Sequence, residues 1–254
     1  MSTLLQFLSI IKSEFPEDRL TWQKNVPTFH PENAEDASKL LKLANTNKQR
    51  LFITGFGNNI DPIGEPFESM LSIRTDRLND LIELNAPDFY VKVGSGFPLR
   101  ELEKELKAVS LFLPHSRLPY VGSVGGSIAV NLNAEMHGHD LPLRRYLIWA
   151  EVVTPQGDII KPGSVCFKSV SGYDIVKLFA GSWGLLGLIV SAAFRVLPIS
   201  AEQEYATLMQ KDIERDKLLD SLKDANRATD AVYSRKIKEK FDPAGVLPIV
   251  GANL

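Results

Sequence analysis

The chain has 254 residues, 44% hydrophobic and 24% charged, the proportions of an ordinary globular protein long enough to bury its own core. Lys and Arg number 29 against 31 Asp and Glu, and this net charge of −2 gives no support to a nucleic-acid surface. The one cysteine, Cys166, excludes an intrachain disulfide and the usual cysteine-held iron–sulfur or zinc site, and it points to a reducing cytoplasm.

At the N-terminus Leu4, Leu5, Leu8, Ile11 and Phe15 recur at helical spacing, and Lys12 and Glu14 interrupt the run, so the segment reads as an amphipathic helix rather than a signal peptide. A second helix is expected over Pro31–Asn45, with Ala34, Ala37, Leu40, Leu41 and Ala44 on one face. A short strand, Leu51–Ile53, runs into the turn Gly55-Phe56-Gly57-Asn58-Asn59, and strands follow at Met70–Ile73, Leu81–Leu84 and Tyr90–Val93. Pro98 opens a charged helix over Leu99–Val109. After a small-residue stretch, Tyr146–Thr154 and Asp158–Ile160 read as a hairpin around Pro155-Gln156-Gly157. Gly172–Val196 reads as a short helix, a glycine-rich turn and a core strand. Its charge-free run, Leu178–Phe194, falls short of the ~20 residues a bilayer span needs. Glu202–Lys240 is polar and helical in pattern. Helices and strands are mixed, with the strands in groups, which favours an α+β fold.

Three segments carry candidate chemistry. In Thr54-Gly55-Phe56-Gly57-Asn58-Asn59, successive backbone N–H groups can form an anion nest, although a plain turn has the same composition. Val121-Gly122-Ser123-Val124-Gly125-Gly126-Ser127-Ile128-Ala129 suits either close approach to a diphosphate or a tightly packed turn. Neither is a Rossmann fingerprint or a P-loop. The third runs from Ser171-Gly172-Tyr173-Asp174 to Gly187-Leu188-Ile189; Asp174 is placed to cap a helix, and Gly181, Gly184 and Gly187 imply a tightly wound backbone.

Lys168–Asp174, together with Ala180-Gly181-Ser182, Gly184-Leu185-Leu186-Gly187 and Val196-Leu197-Pro198, resembles the signature of the vanillyl-alcohol oxidase / p-cresol methylhydroxylase (PCMH-type) FAD-binding family. Within it, the FAD-binding subunit of bacterial glycolate oxidase and the D-lactate dehydrogenase-type flavoproteins are most alike, and the resemblance covers roughly residues 26–198. It implies two α+β subdomains clasping noncovalent FAD. Gly55, Phe56, Gly57, Asn58 and Asn59, with Gly122, Ser123, Val124, Gly125 and Gly126, are then expected on the diphosphate. Pro114, His115, Ile128, Ala129 and Asn131 are expected along the flavin wall, Gly172, Tyr173 and Asp174 at the flavin-proximal turn, and Gly187, Leu188 and Ile189 on a strand touching the cofactor.

The chain departs from that family in two places. Phe56 stands where glycine is usual, and the arginine that commonly opens the first loop is Thr54. After Pro198 there is too little chain for the usual cap domain of about a hundred residues, so residues 1–198 are expected to form the FAD-binding domain and 199–254 a helical cap remnant with a tail. The resemblance implies an FAD-linked oxidase or dehydrogenase of a small 2-hydroxy acid such as glycolate or D-lactate, with no catalytic residue assigned. The alternative is an FAD-binding subunit whose substrate site a partner chain completes. The UDP-N-acetylenolpyruvoylglucosamine reductase branch of the same superfamily is a third reading, opposed by Gly172-Tyr173-Asp174. The expected partners are a small-molecule substrate and an electron acceptor or partner subunit, without nucleic acid or a transmembrane segment; the expected location is cytoplasmic, or at a membrane through a partner. His137 and His139 read as a metal pair or a solvated loop, with no metal expected; Arg144-Arg145 as an anion contact or a surface pair; Trp149 and Trp183 as core or cofactor-pocket packing.

Overall fold

The computed structural model describes residues 3–57, 67–119, 121–165, 174–211 and 229–249. Asn58, Asn59, Cys166, Gly172 and Tyr173 lie outside the described residues, as does the signature from Lys168 to Tyr173.

The first half is a small sheet covered by two helices. Its strands are β1 (Leu20–Gln23), β2 (Val26–Phe29), β3 (Leu51–Thr54) and β4 (Leu71–Arg74), in the order β1-β2-β4-β3. β1 and β2 form an antiparallel hairpin through Lys24 and Asn25, both in the left-handed region, while β2, β4 and β3 run parallel. The hairpin escaped the sequence reading because Pro27 demotes a strand. Pro27 is tolerated because the β4 ladder begins only at Thr28. Helices α1 (Thr3–Glu14) and α2 (Ala34–Asn47) cover the sheet. Every residue of the expected α2 face is buried, and Asn33 caps it by accepting from the Asp36 amide at 2.8 Å. On α1, Leu5 is exposed and Phe7 takes the buried place, so that face is rotated slightly from the expected one.

The second half is a five-stranded antiparallel sheet. β5 (Leu81–Asn85), β6 (Tyr90–Gly94), β10 (Leu147–Val153), β11 (Ile159–Ile160) and β12 (Leu188–Arg195) stand in the order β11-β10-β12-β6-β5. Helices α3 (Leu99–Ala108) and α4 (Val124–Ala129) pack on it. Two short strands, β7 (Leu111–Phe112) and β13 (Leu197–Pro198), pair beside them. β12 serves both cores: Leu188 and Val190 join the first, and Ile189, Ala192 and Phe194 the second. Burial on both faces is why β12 carries no charge before its exposed last residue, Arg195. Among the described residues, no helix is long and apolar enough to cross a membrane.

The segment expected to be a polar loop around His137 is a hairpin of β8 (Asn133–Met136) and β9 (His139–Pro142), extended by β14 (Met209–Gln210). His137 and Gly138 both have positive φ, the turn geometry that matches strand twist. The polar run after Pro198 is not one helical pattern. Its described part comprises a 3-10 turn over Ile199–Tyr205, β14, and the helix α5 (Thr229–Phe241). Beyond α5, Val246 and Leu247 pack into the first core, and the Leu51 amide donates to the Val246 carbonyl at 2.8 Å.

Candidate functional site

A cleft open to solvent lies between the two halves. One wall is the C-terminal end of the parallel strands, with Phe52 to Gly57 from β3 and Thr75 just past β4. The other comes from Val121 to Ser123 and from α4 and its C-terminal extension, with Trp183, Gly184, Gly187 and Ile189 completing the lining.

Two close approaches shape the cleft. A Cβ on Gly125 would lie 2.7 Å from the Ser95 Cβ, so only glycine lets α4 sit against the strand end at Ser95. A Cβ on Gly55 would lie 2.3 Å from the Ser123 Oγ, so the two glycine loops touch across the cleft floor. In the first loop the positive φ falls on Gly57, at 83°, and not on Phe56, which is why the bulky residue is compatible with this turn.

The first-turn amides of α4 are already used. Val124 donates to the Phe97 carbonyl, Gly125 to that of Ser95, Gly126 to the Ser123 Oγ and Ser127 to the Ser123 carbonyl. The helix start therefore offers an anion nothing directly. The open donors are the amides of Gly55, Phe56, Gly57, Gly122 and Ser123, for which no acceptor is found among the described residues. Thr75 adds a hydroxyl: the residue is 4% exposed, lines the cleft, and its Oγ1 has no hydrogen-bond partner among the described residues. No charged side chain lines the cleft among the described residues. Arg74, in register with Thr54 on the neighbouring strand, is committed elsewhere, donating to the Gln23 Oε1 at 2.8 Å and standing 3.4 Å from Asp76. Burial pushes the Asp76 carboxyl up, but a 2.7 Å hydrogen bond with His30 and the Arg74 charge outweigh it and hold the group below the usual range.

The cleft gathers Gly55, Phe56, Gly57, Gly122, Ser123, Gly125, Gly126, Ala129, Gly187 and Ile189 from the expected set. Val124, Ile128 and Leu188 point into the cores instead. Asn131 accepts from the Arg144 amide at 3.1 Å, outside the lining. Asp174 makes no side-chain cap, because its backbone is not at a capping ψ; its carboxylate is 3.9 Å from the Lys177 ammonium. Arg144 and Arg145 are exposed away from the cleft, as are His137 and His139, and no group of three metal-ligating residues occurs among the described residues. Thr75 went unnoticed in the sequence, where a lone threonine after a strand carries no local signal; its place at the end of a parallel strand is the one clue available.

Pro114 and His115 form a buried turn outside the lining. The His115 Nε2 lies 2.7 Å from the Leu141 carbonyl and so carries the proton, leaving Nδ1 bare and without a partner among the described residues. Burial lowers its pKa to about 4. The unfolded chain, with a pKa near ~6.5, binds this proton first as pH falls. The neutral imidazole's contribution is thus fully present above pH ~6.5 and is lost towards pH ~4, on the order of 3 kcal/mol. Urea unfolding between these pH values is expected to show the loss in the native protein. His115→Phe should flatten it, and an unchanged slope would remove His115 as its source.

A family model described as an FAD binding domain matches residues 27–163, more than half of the chain. Among curated proteins, the D-lactate dehydrogenase of Archaeoglobus fulgidus is 29% identical over 175 residues, covering 69% of this chain and 39% of that protein. The glycolate oxidase subunit GlcD of Bacillus subtilis is 28% identical over 170 residues, covering 66% of this chain and 36% of that protein. The chain thus spans less than two fifths of the length of these relatives. Among solved structures, an alkyldihydroxyacetonephosphate synthase superposes with a TM-score of 0.61 at 20% identity, over 76% of this chain and 40% of that one, and shares its fold.

Proposed function

Because the chain belongs to the FAD-binding-domain family, with FAD as its cofactor, we propose that it serves an FAD-dependent oxidation of a small 2-hydroxy acid such as glycolate or D-lactate. The observation that carries this reading is the cleft, with two glycine loops in contact, unpaired amides and an unpaired buried hydroxyl facing one space. The names of the relatives supply the substrate class. When bound, FAD would supply the two-electron acceptor for a hydride from the substrate's carbinol carbon, with the hydroxyl proton passing to solvent and the acid becoming a 2-oxo acid.

The chain's own residues bind and orient. The amides of Gly55 to Gly57, Gly122 and Ser123 hold the diphosphate, with Asn58 and Asn59 continuing the first loop, while Gly125 and Gly126 keep the wall low enough for it to approach. Phe52, Val121, Ala129, Val130 and Leu132 exclude water. Gly172, Tyr173 and Asp174 stay assigned to the flavin side. The cofactor is taken as noncovalent, since among the described residues the lining contains no cysteine or histidine, and acid precipitation should release all of it. The location that goes with this reading is cytoplasmic, with membrane contact only through a partner.

Thr75→Val keeps shape and removes the hydroxyl. We expect FAD affinity to fall about fivefold, near ~1 kcal/mol, while the stability of the apoprotein holds or rises, because an unsatisfied buried group is gone. Titration calorimetry and a urea melt read the two effects; unchanged affinity would take Thr75 out of the site.

A second reading is favoured by the uncharged lining. A substrate carboxylate finds no cation in the cleft among the described residues, so a partner chain would supply one and complete the substrate site. An absorbance spectrum of the purified chain, followed by anaerobic D-lactate and glycolate, separates the cases. A flavin band that bleaches supports an enzyme active alone. A band that stays oxidised until a partner is added supports the subunit. A protein that binds no flavin overturns both.

A further inference from the structure

We propose that the indole of Trp183 is a stacking platform for one of the two fused heteroaromatic rings of the dinucleotide. The inference rests on the FAD reading and goes beyond it by naming the side chain that grips a ring.

Trp183 lines the cleft, half-buried, together with Ala129, Val130, Gly184 and Gly187. Its φ is +53°, in the left-handed region that bulky side chains avoid. The turn does not demand a tryptophan for its geometry, since flanking Gly181 and Gly184 take the same region, at 83° and 76°, without a side chain to strain. A residue kept in a costly backbone state points to a task for its side chain. The backbone is pinned as well: the Trp183 amide donates to the Ala129 carbonyl at 2.9 Å, and the Gly181 amide to that of Ile128 at 3.0 Å. Both bonds fasten the turn to the C-terminal end of α4, the helix whose other end carries Ser123 to Gly126.

The other two tryptophans behave differently. Trp22 is 58% exposed on the edge strand β1, and Trp149 is covered by the Lys92 ammonium at 4.0 Å from its ring centre. Among the described residues, no aromatic ring or cation packs on Trp183. An indole that lines an apolar cleft and carries no ring or cation of the described residues suits a flat heteroaromatic ring, which both adenine and isoalloxazine supply.

The test uses the full chain and its variants Trp183→Leu, Trp183→Phe and Trp149→Phe, titrated with FAD, FMN and ADP. Binding is read by calorimetry and by flavin fluorescence, and thermal melts check that each variant folds. Trp183→Leu is expected to weaken FAD about tenfold, the order of loss for removing one stacked aromatic. Trp183→Phe should recover most of it, and Trp149→Phe should match the native protein. If the partner is isoalloxazine, FMN weakens in parallel and its fluorescence, quenched on the native protein, stays bright on Trp183→Leu. If it is adenine, ADP weakens and FMN does not. Either pattern supports the platform. A folded Trp183→Leu that binds all three ligands like the native protein overturns it while leaving the cofactor reading intact. A native protein that binds none of them overturns the cofactor reading and the platform with it.

Discussion

Replacing Asp242 with alanine is expected to lower the unfolding free energy by about 3–5 kcal/mol, the range for breaking a buried ion pair by removing one partner. The Asp242 side chain is fully buried: it takes the Lys238 ammonium and accepts from the amides of Val246 at 2.9 Å and Leu247 at 2.8 Å. Alanine would orphan two buried amides and leave an ammonium, itself 13% exposed, without its counter-charge. The loss extends further, because those amides hold the turn that carries Val246 and Leu247 into the first core and the Val246 carbonyl onto the Leu51 amide at the start of β3. β3 leads directly into the Gly55 loop, so a structure-holding residue far along the chain supports the cleft. A urea melt should show a lower midpoint with an unchanged slope, and a thermal melt a drop of roughly 10 °C. A loss below about 1 kcal/mol would mean that the tail is not anchored through this carboxylate.

Gly55→Ala is expected to cost about tenfold in FAD affinity. The added methyl would lie 2.3 Å from the Ser123 Oγ, which accepts the Gly126 amide at 3.1 Å and caps α4. The serine must turn away, which orphans that amide and costs about 1 kcal/mol of fold stability in the free and bound protein alike; the methyl then stands where a diphosphate would approach the loop, which costs binding ~1–2 kcal/mol. The double variant Gly55→Ala/Ser123→Gly should recover the fold stability but not the affinity, because the methyl still stands in the diphosphate's path. Glycine is a tolerated cap, and the clashing oxygen is gone. Calorimetry and a urea melt on both variants read the two effects. Native-like FAD binding by the single variant would show that the cofactor does not enter between these loops.

Local patterns carried much of the fold. The α2 face is legible because Ala34, Ala37, Leu40, Leu41 and Ala44 repeat at the helical period, and all five are buried. The β10–β11 hairpin announces itself through Pro155-Gln156-Gly157 between apolar runs, and the charge-free stretch after Leu178 reads as a core strand because β12 is buried on both faces. What failed locally were short elements: β1 and β2 hide behind Pro27, and the hairpin at His137 behind polar composition.

The sequence by itself determined the family, the cofactor class and the positions of the glycine loops, because these depend on runs of neighbouring residues whose backbone needs are local. Tertiary structure alone decided which of those groups face one space. The order β1-β2-β4-β3 brings Thr75 beside Gly55, and contact with the strand ends at Ser95 and Phe97 consumes the first amides of α4. Packing against Leu141 and Tyr146 buries His115 outside the cleft lining, and the bonds to Ile128 and Ala129 hold Trp183 in it. The physical reason is the same in each case. Whether a donor is free or a ring is open depends on acceptors and walls supplied by distant parts of the chain, and no local pattern encodes them.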